Sequence, residues 1–392
     1  MPRSRSGYTP VTARCRFRRD LPKMGRMTPA RIGWRGAWTG WALLVATPGP
    51  AAAQAAYFYQ GLPYGSQASF TPVAALLHSG FYNFQIDNRG DDPFLLDYDA
   101  GLLNVLENLA NPIGAINEYG WGRFLTTEIL PNPNKESAQW VPNYLGHILG
   151  EGLVYRTTYE WYRVHGFRNA KVLAILNLGL GAMLNEVVEN GRYEGANVDP
   201  IADFYIFNPL GIALFSSDKV ARFFSTRLGL AYWQSQAAFD PFSRTLQGTG
   251  YRTVFRVHPG NGRLGVFASY GTLGLLGVSY RINREGRLAV AVGIAAQDLV
   301  EVDSVGSRSR TLTATTGGAA GIFIDRNSSL LASLTVAPEK QERLTLNIYP
   351  GVVGHGRFKP GFTLAWHQFD GLRASVHFGA WPVGLAGHSG RN

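Results

Sequence analysis

At 392 residues, with 47 glycines and only 16% charged residues, the chain is long enough for one large domain or two, and too apolar for a disordered segment of that length. Its formal charge of +10 sits in residues 1–55, which hold ten Lys/Arg against one acid; the other 27 basic and 26 acidic residues nearly cancel, which argues against nucleic acid as a partner. The single cysteine, Cys15, leaves the rest of the chain without a disulfide framework, a thiolate metal site or a cysteine nucleophile.

The elements begin with a leader. Arg31 and Arg35 supply a positive region, Ala37–Val45 a short apolar one, and Ala51–Ala55 small residues suited to cleavage, so 1–55 reads as carrying a secretory signal peptide. The basic stretch before Met24 or Met27 reads as an over-long start. The Arg18–Arg19 pair lacks the surroundings of a twin-arginine signal, and no cysteine follows for lipid attachment. Export is the expectation, with the outer membrane as first destination and the periplasm second.

Residues 56–97 are aromatic and turn-rich, and the alternation in Phe81–Asp87 suggests a strand. A helical module is expected over 98–224. Leu102, Leu103, Leu106, Leu109 and Ala110 recur at helical spacing before Asn111–Pro112, and Ile113–Leu130 follows as a second candidate. Trp140–Val164 and Asn169–Asn190 read as longer helices. Asp199–Phe207 reads as a helix capped by Asp199 with Pro200 at its first position, interrupted at Asn208–Pro209; Asp218–Phe224 adds a final turn or two. The apolar run Val172–Leu184 is broken by Asn177, which argues against a helical inner-membrane protein.

Over 225–392 the period changes to two. About ten segments alternate, from Arg227–Gln236 to Leu372–Trp381, with turns such as Asn283–Gly286 and Asp325–Ser328 between them, while Pro382–Asn392 trails off in glycine and polar residues. Small residues on one phase and Leu, Val, Phe or Tyr on the other suit a barrel wall. The fold class expected is α+β: an N-terminal helical module followed by an antiparallel β-meander, of outer-membrane β-barrel type with about 8–12 strands.

A few polar residues sit inside the apolar helical segments, where they are costly unless paired. Asn143, His147 and Glu151 are four apart and share one helix face; Glu186 and Glu189 are three apart, and Asp199 and Asp203 four apart. Gly146 and Gly150 share the same spacing and would admit a close backbone. His147, Glu186 and Glu189 are the catalytic candidates, since an imidazole between carboxylates can relay protons or help bind a metal. Asn143, Glu151, Asp199, Asp203 and Asn208 form a polar network, structural or functional. The bland reading stands beside this one: Asp199 as a cap, Asp203 and Asn208 as helix bridges, His147 with a glutamate as a buried structural pair. No nucleophile elbow, zinc-protease motif, P-loop or dinucleotide fingerprint is present, and His355, His367 and His377 share no ligand spacing. No cofactor is implied.

Trp140, Asn143, Tyr144, Gly146, His147 and Gly150, then Glu186 or Glu189, then Asp199, Asp203, Asn208 and Gly211 resemble the pattern of a family of bacterial envelope proteins defined only as a domain of unknown function. The later part is also similar to VanZ-like helical membrane proteins, from which this chain departs by its lower hydrophobicity and strand-rich second half. The resemblance covers about 80 residues and implies a location and an architecture, not a reaction. Three readings follow: an outer-membrane or envelope-associated barrel protein with helices packed in or against the barrel, an envelope enzyme acting on lipid or glycan through His147 with Glu186 or Glu189, and a soluble periplasmic binding module using the aromatic N-terminal segment. Membrane lipid or lipopolysaccharide is the expected partner; oligomeric state is left open.

Overall fold

The computed structural model describes residues 56–86, 92–132, 139–191, 196–260, 262–303, 310–337, 342–354, 358–367 and 371–389, all within one compact unit spanning Ala46–Asn392. The leader with Cys15 and the signal reading, and His355, lie outside these residues.

The first helix, α1 (Pro72–Gly80), begins where Thr71 Oγ1 accepts the N–H of Ala74 at 3.0 Å with Pro72 at the first position. The strand expected at Phe81–Asp87 is not one: Tyr82–Gln85 forms a 3₁₀ turn, and Asp87 is outside the described residues. Phe81 and Phe84, three apart, meet at 5.0 Å and share a core with Leu246, a contact that helical winding allows and alternation would forbid.

Asp97 caps α2 (Tyr98–Ala110), and Asn111 both ends α2 and caps α3 (Pro112–Tyr119). Gly120, at φ +100°, breaks the single helix expected over Ile113–Leu130; α4 (Trp121–Phe124) runs into a π-helical turn at Leu125–Ile129. The expected helix over Trp140–Val164 is likewise two windings. Pro142–Glu151 is a ten-residue π-helix that passes directly into α5 (Gly152–Val164).

Helix α5 is the centre of the helical part, with every residue from Gly152 to Glu160 buried. Burial of its Leu and Tyr side chains is worth about 1.5–3 kcal/mol each. Arg156 is fully buried and spends its charge on Glu160 at 2.7 Å and Asp218 at 2.6 Å, while Glu160 accepts the N–H groups of Phe58 and Tyr59. The N-terminal aromatic segment is therefore core: Phe58, Tyr59 and Phe70 are buried against α5 and its neighbours. Helix α6 (Ala170–Glu189) packs on α1, α2 and α5, and is the one described helix long and apolar enough to cross a membrane by length and composition.

Two further expectations fail locally. The residue preceding α7 (Asp199–Ala202) is Val198, with no side-chain cap, so Asp199 is inside the helix and not its cap. Asn208–Pro209 does not interrupt the chain's winding either. A π turn at Asp203–Phe207 runs straight into α8 (Asn208–Ser216), and Pro209 takes the first turn of α8, where a missing N–H is tolerated. Helix α9 (Asp218–Arg222) and a π turn at Phe223–Arg227 close the helical part, so Arg227 belongs to a helix rather than to the first strand.

The strands are β1 (Ala231–Gln234), β2 (Ala238–Asp240), β3 (Thr245–Gln247), β4 (Tyr251–Val257), β5 (Leu264–Tyr270), β6 (Leu273–Arg281), β7 (Gly286–Asp303), β8 (Arg310–Arg326), β9 (Ser329–Val336), β10 (Glu342–Ile348), β11 (Gly361–His367), β12 (Gly371–His377) and β13 (Gly384–His388). Among the described residues they form one curled sheet of 13 strands, ordered β1-β4-β5-β6-β7-β8-β9-β10-β11-β12-β13-β2-β3. The count exceeds 8–12, and the sheet is mixed: β13 pairs β2 in parallel. The excess is the short β2 and β3, and β13, which lies in the stretch read as trailing off; three to five residues with Gly or Asp among them give too little alternation to notice.

Only Ser235–Ala237 separates β1 from β2, so the chain crosses from the β4 side of the strand order to the β13 side within three residues. Gln236 holds this crossing, its amide 3.2 Å from Thr363 Oγ1 and 3.3 Å from the Phe362 carbonyl. On the concave side Trp233, Phe267 and Phe323 stack, and Arg256 is buried with Asp325. Gly65 and Ser66 of the N-terminal segment also dock there: Ser66 Oγ accepts the N–H of Leu330 at 3.1 Å.

Candidate functional site

Five helical segments (α1, the Tyr82–Gln85 turn, the Pro142–Glu151 π-helix, α6 and the run from α7 into its π turn) meet β4, β5, β7 and β8 around a cavity of about 580 Å³. Asn143, His147, Glu151, Glu186, Glu189, Asp199 and Asp203 all line it, with Asn83, Asn185, Tyr251, Thr253 and Tyr270. Sequence reasoning gathered these acids and amides one helix at a time; the fold brings them to one wall.

The Trp140–Gly150 motif divides its work. Three members fasten the π-helix to the segment before it: Trp140 Nε1 donates to the Asn132 carbonyl at 2.8 Å, Asn143 Nδ2 to the Glu128 carbonyl at 2.9 Å, and Tyr144 Oη to the Ile129 carbonyl at 3.1 Å. His147 faces the cavity. Its Nε2 is 3.1 Å from Asp203 Oδ2, and its Nδ1 is 3.1 Å from Asn208 Oδ1 and 3.3 Å from Glu151 Oε2. The direct partners of His147 are thus Asp203, Glu151 and Asn208, and not the glutamate pair Glu186 and Glu189.

The close approach that sets this geometry is made by Gly152 and Gly211. A Cβ on Gly211 would lie 2.9 Å from the carbonyl oxygens of His147 and Ile148, and one on Gly152 would lie 2.9 Å from the Gly211 carbonyl. Gly146 and Gly150, the pair singled out by spacing, admit no backbone from another helix; their neighbours are Tyr270, Tyr251 and Thr253 side chains and the Leu145 carbonyl.

The electrostatics follow from crowding. An Asn Oδ1 only accepts, so His147 Nδ1 carries a proton, and a carboxylate at Nε2 favours a second. Burial alone would lower the His147 pKa, but the charges of Glu151, Asp199 and Glu186 outweigh it and hold the imidazole up at about 9. The acids move the other way. Burial, with Asp199, Asp203 and Glu189 nearby, raises Glu186 well above the carboxylate range, and burial with Asp199, Glu151 and Glu128 does the same to Asp203. Burial also raises Asp199, against the pull of His147. Both members of the His147–Asp203 pair are therefore pushed up from their ordinary values, a setting suited to acid–base chemistry.

One acid escaped sequence reasoning. Glu128, buried on the Leu125–Ile129 turn, accepts from Asn143 Nδ2 at 3.2 Å and from Thr127 Oγ1 at 3.0 Å; burial and the Asp199 charge push it up to about 8. The criterion that found Glu186, an acid among apolar neighbours, applies equally to Glu128 between Phe124, Leu125, Ile129 and Leu130. An amide chain was missed too. Asn197 donates from Nδ2 to Asn190 Oδ1 at 2.7 Å, and Asn190 Nδ2 donates to the Glu186 carbonyl at 2.8 Å, tying the approach to α7 to the end of α6. Asn83 Nδ2 donates to Glu189 Oε2 at 2.6 Å from the 3₁₀ turn.

Glu186, Glu189 and Asp199 each place an oxygen within 4.8 Å of the others, a spacing that can hold a metal ion. His367 and His377 stay on β11 and β12, away from this cavity, and His377 Nε2 bonds Ser375 and Thr363 hydroxyls at 2.7 and 3.2 Å. No protein-family model, curated protein or solved structure matches the chain.

Proposed function

We propose that this is an outer-membrane-type envelope protein: the curled sheet closes into a barrel through the β1–β2 crossing, and the helical part carries a polar chamber at one end of it. The observation that carries the reading is a continuous outward row. In register across eight strands, Val266, Val278, Val290, Ile322, Leu334, Leu346, Leu364 and Ala374 pair in succession. All are exposed, from 36% at Leu346 to 53% at Val278 for the large ones. A second such row runs Leu276, Val292, Ala320, Val336, Leu344, Trp366 and Leu372.

A water-facing sheet would put polar residues there, and an exposed apolar patch of this extent needs a cover. The opposite face supplies the contrast, with Gln236, Asn347, Thr363, Arg373 and Glu342 turned inward. Most strands from β4 to β12 have 7–9 residues, which at the usual rise and a barrel tilt of about 35–45° climb about 16–25 Å, so they reach the apolar band of about 25 Å only at their longest, while β7 and β8, with 18 and 17 residues, exceed it. Fractionation with heat-modifiable gel migration tests it; recovery of folded protein in the soluble periplasmic fraction overturns it.

A second reading is favoured by the site itself: an envelope enzyme acting on lipid or glycan, with His147 as acid–base and Asp203 as its direct partner. His147→Gln and Asp203→Asn would then abolish the associated envelope phenotype while the heat-modifiable folded band persists. Variants that lose the folded band together with the phenotype make the polar set structural.

A further inference from the structure

The cavity wall is anionic beyond what His147 balances. Glu151, Glu186, Glu189, Asp199 and Asp203 face it, and its lining holds no Lys or Arg among the described residues. Several buried oxygens on this wall are left without a hydrogen-bond partner, among them Oδ1 of Asp203, a residue only 1% exposed, and Oδ1 of Asn185. A buried acceptor with no donor is costly unless something outside the chain supplies positive charge or a proton.

We propose that Glu186, Glu189 and Asp199 hold a calcium ion on this wall, with its open positions toward the cavity and Asp203 Oδ1 receiving a proton from an ion-bound water. The donor set is all oxygen, which selects a hard cation over zinc or copper. Three oxygens within 4.8 Å of one another lie at most about 2.8 Å from a common centre, close to the Ca²⁺ distance of about 2.3–2.6 Å. The smaller Mg²⁺ requires a near-octahedral set at about 2.0–2.1 Å, which three carboxylates on two helices meet less readily. The ligands are also held from behind. Asn83 fixes Glu189 Oε2, Asn190 Nδ2 lies 3.3 Å from Glu186 Oε2, and Asn197 Oδ1 accepts the Asp199 N–H at 3.3 Å. The ion's free face would take water or an anionic oxygen of a ligand, giving a phosphate or carboxylate group an entry to a chamber otherwise hostile to it. The proposal stands on the helical cluster and is independent of the membrane reading.

The test uses the full chain purified in detergent and stripped with a chelator, titrated with Ca²⁺ by calorimetry and with Tb³⁺ by luminescence sensitised through Tyr82, Tyr251 and Tyr270. The expected result is saturable Ca²⁺ binding at about 1 mM or below, and Tb³⁺ emission displaced by Ca²⁺. Glu189→Gln and Asp199→Asn should each weaken it by about tenfold or more, and His147→Gln, which removes a neighbouring positive charge, should tighten it. Wild type alone decides if a variant fails to fold: no saturable Ca²⁺ binding overturns the proposal. So does binding indifferent to Glu189→Gln and Asp199→Asn, or a site that takes Zn²⁺ in preference and loses it on His147→Gln.

Discussion

Replacing Gly211 by alanine puts one methyl group between α8 and the π-helix that carries His147. The new Cβ would sit 2.9 Å from two carbonyl oxygens and 3.3 Å from Gly152 Cα, all backbone, with no flexible side chain to yield. Ordinary carbon–oxygen contacts are at about 3.3–3.6 Å, so the two segments must part by roughly 0.4 Å or more. Overpacking of this kind costs about 1–3 kcal/mol. Gly179 is the matched control: it lies inside α6 and a Cβ there meets nothing within 4 Å, so Gly179→Ala should stabilise by about 1 kcal/mol through helix propensity alone. Gly211 lies inside α8 and gains the same propensity, so the two variants should differ by the overpacking cost alone, about 1–3 kcal/mol, which at roughly 2 °C per kcal/mol for a chain of this size is about 2–6 °C. Apparent melting of the full chain in detergent, read by tryptophan fluorescence at one scan rate, measures it. Gly211→Ala melting as high as Gly179→Ala would refute the reasoning, because the Gly152–Gly211 contact would then not be what holds His147 against Asn208 and Asp203.

Stability should fall as pH rises from about 6.5 to about 9: the imidazolium of His147, held up at about 9, stabilises the fold fully below 6.5 and loses that contribution through 9. Glu128 acts in the same direction, since the folded state keeps up to about 8 a proton that the unfolded chain releases near 4.5. His147→Gln should flatten the upper part of this profile; a melting temperature that rises across the window contradicts both shifts. Arg256→Met strands Asp325 in the sheet interior and should cost about 3–5 kcal/mol, softened by Arg287 at 3.6 Å, and Arg256→Met with Asp325→Leu should recover most of it. Val290→Arg or Ile322→Arg should destabilise the folded form in lipid vesicles by about 2–4 kcal/mol, whereas on a water-facing sheet the change would be within about 0.5 kcal/mol. Urea titration of vesicle-bound protein separates these two outcomes.

The change of period near Thr226 marked the helix-to-sheet transition because alternation over seven to nine residues is a strong signal, and β4 to β12 fall close to the expected segments. Short elements were illegible for the same reason: β2, β3 and β13 have too few residues to establish a phase. The site's residue types stood out, since acids and amides amid apolar helices announce themselves, yet their pairing did not. Asn143, His147, Glu151, Glu128 and Asp203 all sit on π-helical segments, where each residue turns less than on an α-helix. The four-residue spacing still paired His147 with Glu151, but its contacts with Asp203 and Asn208 cross between segments and leave no mark in the spacing, so the glutamate pair of α6 was chosen in their place. Gly211 looked like one glycine among 47, and only its contact with Gly152 distinguishes it.

The crossing at Ser235–Ala237 fixes an order of events. Strand β2 pairs at once with β3, which follows it directly, but its other neighbour is β13, which is made only after all the strands from β3 to β12. Contacts so distant in sequence form slowly, and the apolar outward rows stand uncovered while they do. The nascent chain thus has to be kept from collapse or self-association until Gly384–His388 arrives, and removal of those few residues would leave β2 paired on one side only, with β3.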